Sequence, residues 1–378
     1  MDRNGIPASP QRDGRVDLVR GFALLCIFVD HVPGNRLGDF TLRNFAFSDA
    51  AELFVLLAGY SAMLAYGRSF ARDGIAGGLR RVALRCLQLY AFQAGLLLWT
   101  MLIVMVWADH YGLEPLSIGP LLDPAGVARG LMLRALPASL DILPLYIVLL
   151  AAFPVLYLGL RHSRAGLLAA SLLLWWAAGR WQINLPNVVD PDAPEIWFLN
   201  PLTWQLVFVA GMLLADRMAR HGGALPRPRP LAWLAWAFLA LGLVTMAPWQ
   251  AWGLSSWRPL PDPDLAGAAK TWVPPLRLLS VLAMSYLALT SVRLRAAAAH
   301  PLLRPVLVCG RHSLAVFAAG TLLSLLGRLA FRTVGTGTGM QLLVNGLGLL
   351  AMVGLALWRD SRVPARRPAG AAAHLKTI

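Results

Sequence analysis

Long apolar runs broken by short polar stretches set the pattern of this chain, and the length of the runs decides their role. A helix that crosses the hydrocarbon core of a bilayer needs about twenty mainly apolar residues, fewer where neighbouring helices shield polar positions. Ten runs approach that length, centred on residues 18–33, 50–66, 83–107, 142–160, 165–180, 198–215, 231–248, 274–291, 306–327 and 340–358. They predict an all-α fold, a polytopic transmembrane helical bundle of about ten helices. The chain then divides into an N-terminal tail at 1–17, a membrane domain at 18–358 and a C-terminal tail at 359–378.

Composition sharpens this picture. With 57% hydrophobic and 14% charged residues, the chain is too apolar for a soluble domain of its length. A net charge of +15 would point to nucleic acid only if the basic residues clustered on a water-facing surface. They lie instead between the apolar runs, where they report orientation. Placing Arg15, Arg20, Arg68, Arg72, Arg161, Arg164, Arg217, Arg220, Arg293, Arg295, Arg304 and Arg359 inside, with Arg3, Arg12, Arg366, Arg367 and Lys376 of the tails, predicts two cytoplasmic termini. The outer loops then gather acids, among them Asp109, Glu114, Asp123, Asp190, Asp192, Glu195, Asp262 and Asp264. A polar substrate would arrive on that side. The first run contains Arg20, Asp30 and His31, which a cleaved signal peptide would not carry, so it is expected to stay in the mature protein. Cys26, Cys86 and Cys309 match no metal or redox spacing and read as small hydrophobes.

Ionisable groups inside a membrane helix are costly unless paired or hydrated, so they mark functional interiors. Asp17 and Arg20 stand three residues apart and can pair on one helical face. Ten residues separate Arg20 from His31, which places both on the same face about 16 Å apart. His31 is the candidate general base, because a neutral imidazole can take a proton from a hydroxyl as that hydroxyl attacks a thioester. Asp30 adjoins it, and Pro33 could distort the helix end enough to let the carboxylate help. Asp49 and Glu52 open the second run. Capping explains them, and so does a role with Arg43 in orienting His31 or an incoming polar substrate; Asn35 and Asn44 belong to the same stretch. Arg80, Arg81 and Arg85 would sit at the cytoplasmic mouth, suited to phosphates or to positive-inside anchoring.

Several segments together carry a resemblance to a known family. RVDLVRGFALLCIFVDHVPGN, TLRNFAFSDAAELFV and GYSAMLAYG resemble the first two helices of the OpgC-like proteins, which modify osmoregulated periplasmic glucans within the wider membrane acyltransferase-3 superfamily. NPLTWQLVFVAG, KTWVPPLRLLSVLA and GRHSLAVFAAGTLLS resemble the later blocks, so the likeness runs through nearly the whole chain in order. In the superfamily a basic residue precedes a catalytic His by ten residues, the spacing of Arg20 and His31. Ala46, Ala58 and Ser280 depart from the family pattern.

The resemblance implies an acyltransferase of the bacterial inner membrane that moves an acyl group, with succinyl favoured, from cytosolic acyl-CoA to a periplasmic glucan. Acyl-CoA is a co-substrate there, and neither a metal nor a bound cofactor is implied. His31, Asp30 and Glu52 are then the catalytic candidates, and Arg20, Arg80, Arg81, Arg85, Arg311 and His312 the donor-side ones. Asn35, Arg43, Asn44, Asp49, Asn200, Trp204, Gln205, Lys270 and Arg277 are the acceptor-side candidates, with Lys270 and Arg277 able to meet an anionic acyl group. Two rivals remain: a transporter or flippase in which the same acids and His31 form a proton or glycan pathway, and an acetyltransferase acting on another envelope polysaccharide.

Overall fold

The computed structural model describes residues 13–114, 116–254 and 270–362. The rest of both tails and the outer-loop residues Arg258, Asp262 and Asp264 lie outside the described residues, as do Arg3, Arg12, Arg366, Arg367 and Lys376.

Helices cover the predicted runs, but the run at 306–327 is not one span: the backbone breaks at His312, between helices Arg304–Arg311 and Ser313–Thr333. In chain order the helices begin with α1 (Gly14–Asp30), α2 (Ala50–Tyr111), α3 (Pro124–Leu131), α4 (Ile142–His162), α5 (Arg164–Arg180) and α6 (Pro201–Arg220). They continue with α7 (Arg229–Met246), α8 (Pro275–Thr290), α9 (Val292–Ala297), α10 (Arg304–Arg311), α11 (Ser313–Thr333) and α12 (Thr338–Ser361). The runs at 50–66 and 83–107 are the two helices of α2, which the non-helical backbone of Gly74 separates at a sharp kink. Gly74 has φ 71° there, a backbone state that glycine enters without steric penalty. Among the described residues six helices, α2, α4, α6, α7, α11 and α12, are long and apolar enough to cross a membrane. The chain is a helical, multi-pass membrane protein.

Outward-facing side chains agree with a lipid solvent. Val155, Leu234 and Leu342 are about 70% exposed, which water would penalise and hydrocarbon accepts. Inside, the helices approach through small residues. A Cβ on Gly21 would collide with the carbonyl of Val306, and one on Gly310 with that of Asp17, so α1 and α10 meet backbone to backbone. Gly59 against Phe208 and Gly211 against Leu56 do the same for α2 and α6. Close approach through glycine is how helices gain dispersion contact where no hydrophobic force draws them together. A two-residue antiparallel hairpin, β1 (Pro186–Asn187) and β2 (Glu195–Ile196), follows α5 and reaches back over the bundle end near His31.

Candidate active site

His31 is the residue that ends α1: its backbone N–H closes the helix on Ile27 and Phe28. Its ring turns back on the same turn, with Nδ1 2.6 Å from the Ile27 carbonyl oxygen. A carbonyl can only accept, so the proton sits on Nδ1 and Nε2 keeps its lone pair. The ring borders a cavity of about 380 Å³ whose wall also holds Asp141, Ser139, Asn187, Glu195 and Lys270. Of the sequence-derived candidates, the structure brings His31 and Lys270 to this cavity wall.

Asp141 and Ser139 were not signalled by the sequence. They belong to the turn before α4, which Asn187 ties to the hairpin: its amide donates to the Leu136 carbonyl at 3.1 Å and accepts from the Leu136 N–H at 2.7 Å. Asp141 is the acid that interacts electrostatically with His31. Burial pushes the Asp141 carboxyl above its ordinary value, and the charges of His31 and Lys270 only partly offset this. Asp30, the sequence neighbour, faces away. It accepts from Thr41 Oγ1 at 2.6 Å and pairs with Arg43 at 3.3 Å, while Asn44 donates to the Gly38 carbonyl at 2.7 Å. Asp30, Arg43 and Asn44 therefore hold the 36–44 turns together. Asn35 exchanges amide hydrogen bonds with Asn345 of α12, both at 2.9 Å.

Beneath the cavity lies a charged layer. Asp49 and Glu52 form a capping box at the start of α2, and the same two carboxylates pair with cations from a distant part of the chain. Lys270 lies 2.8 Å and Arg277 3.1 Å from Asp49, and Arg277 lies 2.5 Å from Glu52. Capping and ion pairing thus coexist. Burial pushes the Asp49 carboxyl up, but Lys270 and Arg277 outweigh it and hold it well below the usual carboxylate range. Burial likewise pushes Lys270 down, and Asp49 and Glu52 outweigh it, so the ammonium stays charged.

The Lys270 backbone is fixed by residues on two other helices. Trp204, wholly buried, donates Nε1–H to the Lys270 carbonyl at 3.0 Å. Thr203 donates to the Thr271 carbonyl at 2.7 Å, and Trp175 Nε1 lies 3.1 Å from the carbonyls of Trp272 and Val273. Val273 has φ 50°, a strained state for a β-branched residue that such anchors hold in place. Trp204 thus acts on the cavity through Lys270. Asn200 caps α6 and donates to the Ile183 carbonyl, and Gln205 donates to the Ser171 carbonyl, both at 2.8 Å. These buried amides position elements and do not line the cavity.

A narrow passage with about 10 Å³ of free space leaves the same region between α1, α11 and α12. His31, Ile27 and Ser139 border both spaces, and Leu24, Phe317, Thr321, Ser324 and Met352 line the rest of the passage, which holds about one water-sized group.

A family model described as OpgC protein matches residues 12–363. The chain belongs to the OpgC family. No curated protein and no solved structure matches it. Membership implies a glucan-modifying enzyme of a membrane.

In this OpgC-family protein the end of the bundle opposite His31 holds two basic groups. Arg311 lies 3.9 Å from Asp17 and 3.7 Å from Asp360, with His312 3.5 Å from the same Asp360. Arg20 lies 3.7 Å from Asp17 and donates to the Leu57 carbonyl and to Ser61, so it locks α1 onto α2. Around the Gly74 bend, Arg81 pairs with Asp73 at 3.4 Å, Arg85 donates to Gln88 at 2.6 Å and Arg80 is exposed.

Proposed function

We propose that this chain is an O-acyltransferase of the bacterial inner membrane that moves an acyl group, succinyl by preference, from cytosolic acyl-CoA to a hydroxyl of a periplasmic glucan. The observation that carries the reading is His31. Its Nδ1–H is committed to the Ile27 carbonyl, so Nε2 is the free base, and the ring stands where a roomy cavity meets a narrow passage. The cavity is wide enough for sugar, with Asn187, Glu195 and Lys270 as polar contacts. The passage, with about 10 Å³ of free space, must widen between α1, α11 and α12 to admit a slender chain such as the pantetheine arm of coenzyme A. Arg311 and His312 at the end of the bundle opposite His31, with Arg80, Arg81 and Arg85 around the α2 bend, offer cations to the nucleotide phosphates.

In this reaction Nε2 of His31 takes the proton of the glucan hydroxyl as its oxygen attacks the thioester carbonyl. The new O–C bond forms, the C–S bond breaks, and the imidazolium returns its proton to the leaving thiolate. Free coenzyme A thiol and the glucan ester are the products, and His31 is neutral again. The spacing of Arg20 and His31 agrees with the acyltransferase-3 pattern, and both termini in the cytoplasm would put the donor on the inside.

The test uses purified protein in proteoliposomes with acyl-CoA and glucan, read by mass spectrometry of the glucan. His31→Ala and His31→Gln should lower turnover about 10²- to 10⁴-fold while the protein still inserts. Retention of more than about a tenth of wild-type turnover would mean that no general base acts at this position.

A further inference from the structure

Deeply placed arginines in this bundle have acidic partners: Arg15 has Asp13, Arg20 has Asp17, and Arg277 has Asp49 and Glu52. Arg328 of α11 does not. Among the described residues no carboxylate lies within ion-pairing distance of it; Nη2 donates to Ser139 Oγ at 3.0 Å, and its enclosed Nε has no hydrogen-bond partner. Arg328 is half-buried: water reaches part of the guanidinium, while its enclosed edge has one neutral acceptor and is left for an anion to complete.

Its surroundings indicate which anion. Phe317, Thr321, Ser324 and Arg328 recur at helical spacing, so one face of α11 forms the passage wall and then ends at Arg328. Thr321 and Ser139 border both the passage and the recess that holds Arg328, and Ser139 also borders the His31 cavity. That recess has about 20 Å³ of free space, room for roughly one water-sized group. A sugar ring is far too large for it, whereas one oxygen of a carboxylate fits. Ser139 itself has φ 75°, a left-handed strain kept where the hydroxyl must face the guanidinium. Lys270 and Arg277 are already neutralised by Asp49 and Glu52.

We propose that Arg328 is the residue that selects the acyl group: it receives the terminal carboxylate of a dicarboxylic half-thioester, with Ser139 holding the guanidinium in place while the thioester carbonyl lies at His31. This inference rests on the acyl-transfer reading. A neutral acyl chain in the passage leaves the cation uncompensated, so discrimination arises from the unpaired partner as well as from the contact made.

The experiment compares succinyl-CoA with butyryl-CoA, which has the same number of carbons and a neutral end, using the full chain in proteoliposomes and mass spectrometry of the glucan. Wild type should favour succinyl-CoA in kcat/KM by at least about 30-fold, and Arg328→Met should bring the ratio to within about threefold of unity. Ser139→Gly suits the left-handed backbone and so keeps the fold. It should lower the ratio several-fold, and it decides the matter if Arg328→Met does not accumulate. Wild-type transfer of both groups with equal efficiency removes the role of Arg328 and leaves acyl transfer standing, as does a Met variant that loses both donors in proportion. A Met variant that keeps the donor ratio but raises KM for an anionic glucan places the anion on the acceptor and overturns the proposal. No transfer of either group by wild type sinks acyl transfer itself, and the inference with it.

Discussion

The indole N–H of Trp204 donates to the carbonyl of Lys270 at 3.0 Å, so a wholly buried tryptophan of α6 fixes the backbone whose ammonium lines the His31 cavity. Removing that donor leaves a carbonyl unsatisfied, which costs about 1 to 3 kcal/mol. Trp204→Phe should therefore raise KM for glucan about three- to tenfold with a smaller change in kcat, because it loosens a binding wall and not the base. Steady-state kinetics at varied glucan decide this; a loss confined to kcat would contradict the positioning role.

The Glu52–Arg277 pair is fully enclosed, with side-chain exposures of 0% and 7%. Breaking one side strands a buried charge and should destabilise the fold by about 3 to 5 kcal/mol. Glu52→Leu alone should lower the melting temperature in detergent sharply. The double variant Glu52→Leu with Arg277→Met removes both charges and should recover a large part of the loss. A double variant no better than the single one would show that Asp49 and Lys270 need Arg277 as well.

Asp141 gives a pH dependence with a definite sign. Burial raises its folded-state value above the ordinary one, so the folded protein binds its proton more tightly than the unfolded chain does. Stability from this group is full below the ordinary carboxylate value and falls as pH rises through the folded-state value. Asp141→Asn lacks that loss. Melting curves from about pH 4 to pH 8 should show the variant gaining on wild type as pH rises. A constant difference across the range would remove Asp141 as a titrating group.

Orientation can be checked directly. The excess of Lys and Arg in alternate loops predicts both ends of the chain in the cytoplasm. Reporter fusions at the C-terminus that require the cytoplasm should be active, and ones that require the periplasm inactive. The reverse pattern would also exclude entry of acyl-CoA at the Arg311 end.

Much of this protein was written in local sequence. Runs of apolar residues fixed where helices form, because a bilayer leaves the backbone no other way to satisfy its hydrogen bonds. His31 was legible from its spacing to Arg20, and Asp49 with Glu52 from the capping pattern, since both depend only on helical periodicity. The apolar runs marked 50–66 and 83–107 as two helices, but not that the chain turns between them at Gly74, which depends on a single residue's backbone angle. Nor did adjacency in sequence identify the acid beside His31. Asp30 points off the helix end to Thr41 and Arg43, whereas Asp141 reaches His31 from a turn more than a hundred residues later. Trp204 looked like a surface for sugar and is instead sealed inside, because a tryptophan in the first turn of a helix looks alike in sequence whether that turn meets water or packing. No motif or spacing sets Arg328 apart from the other arginines of the chain. Its isolation is a property of three dimensions alone: only when the helices are assembled is it seen that, among the described residues, no carboxylate comes within ion-pairing distance of this guanidinium.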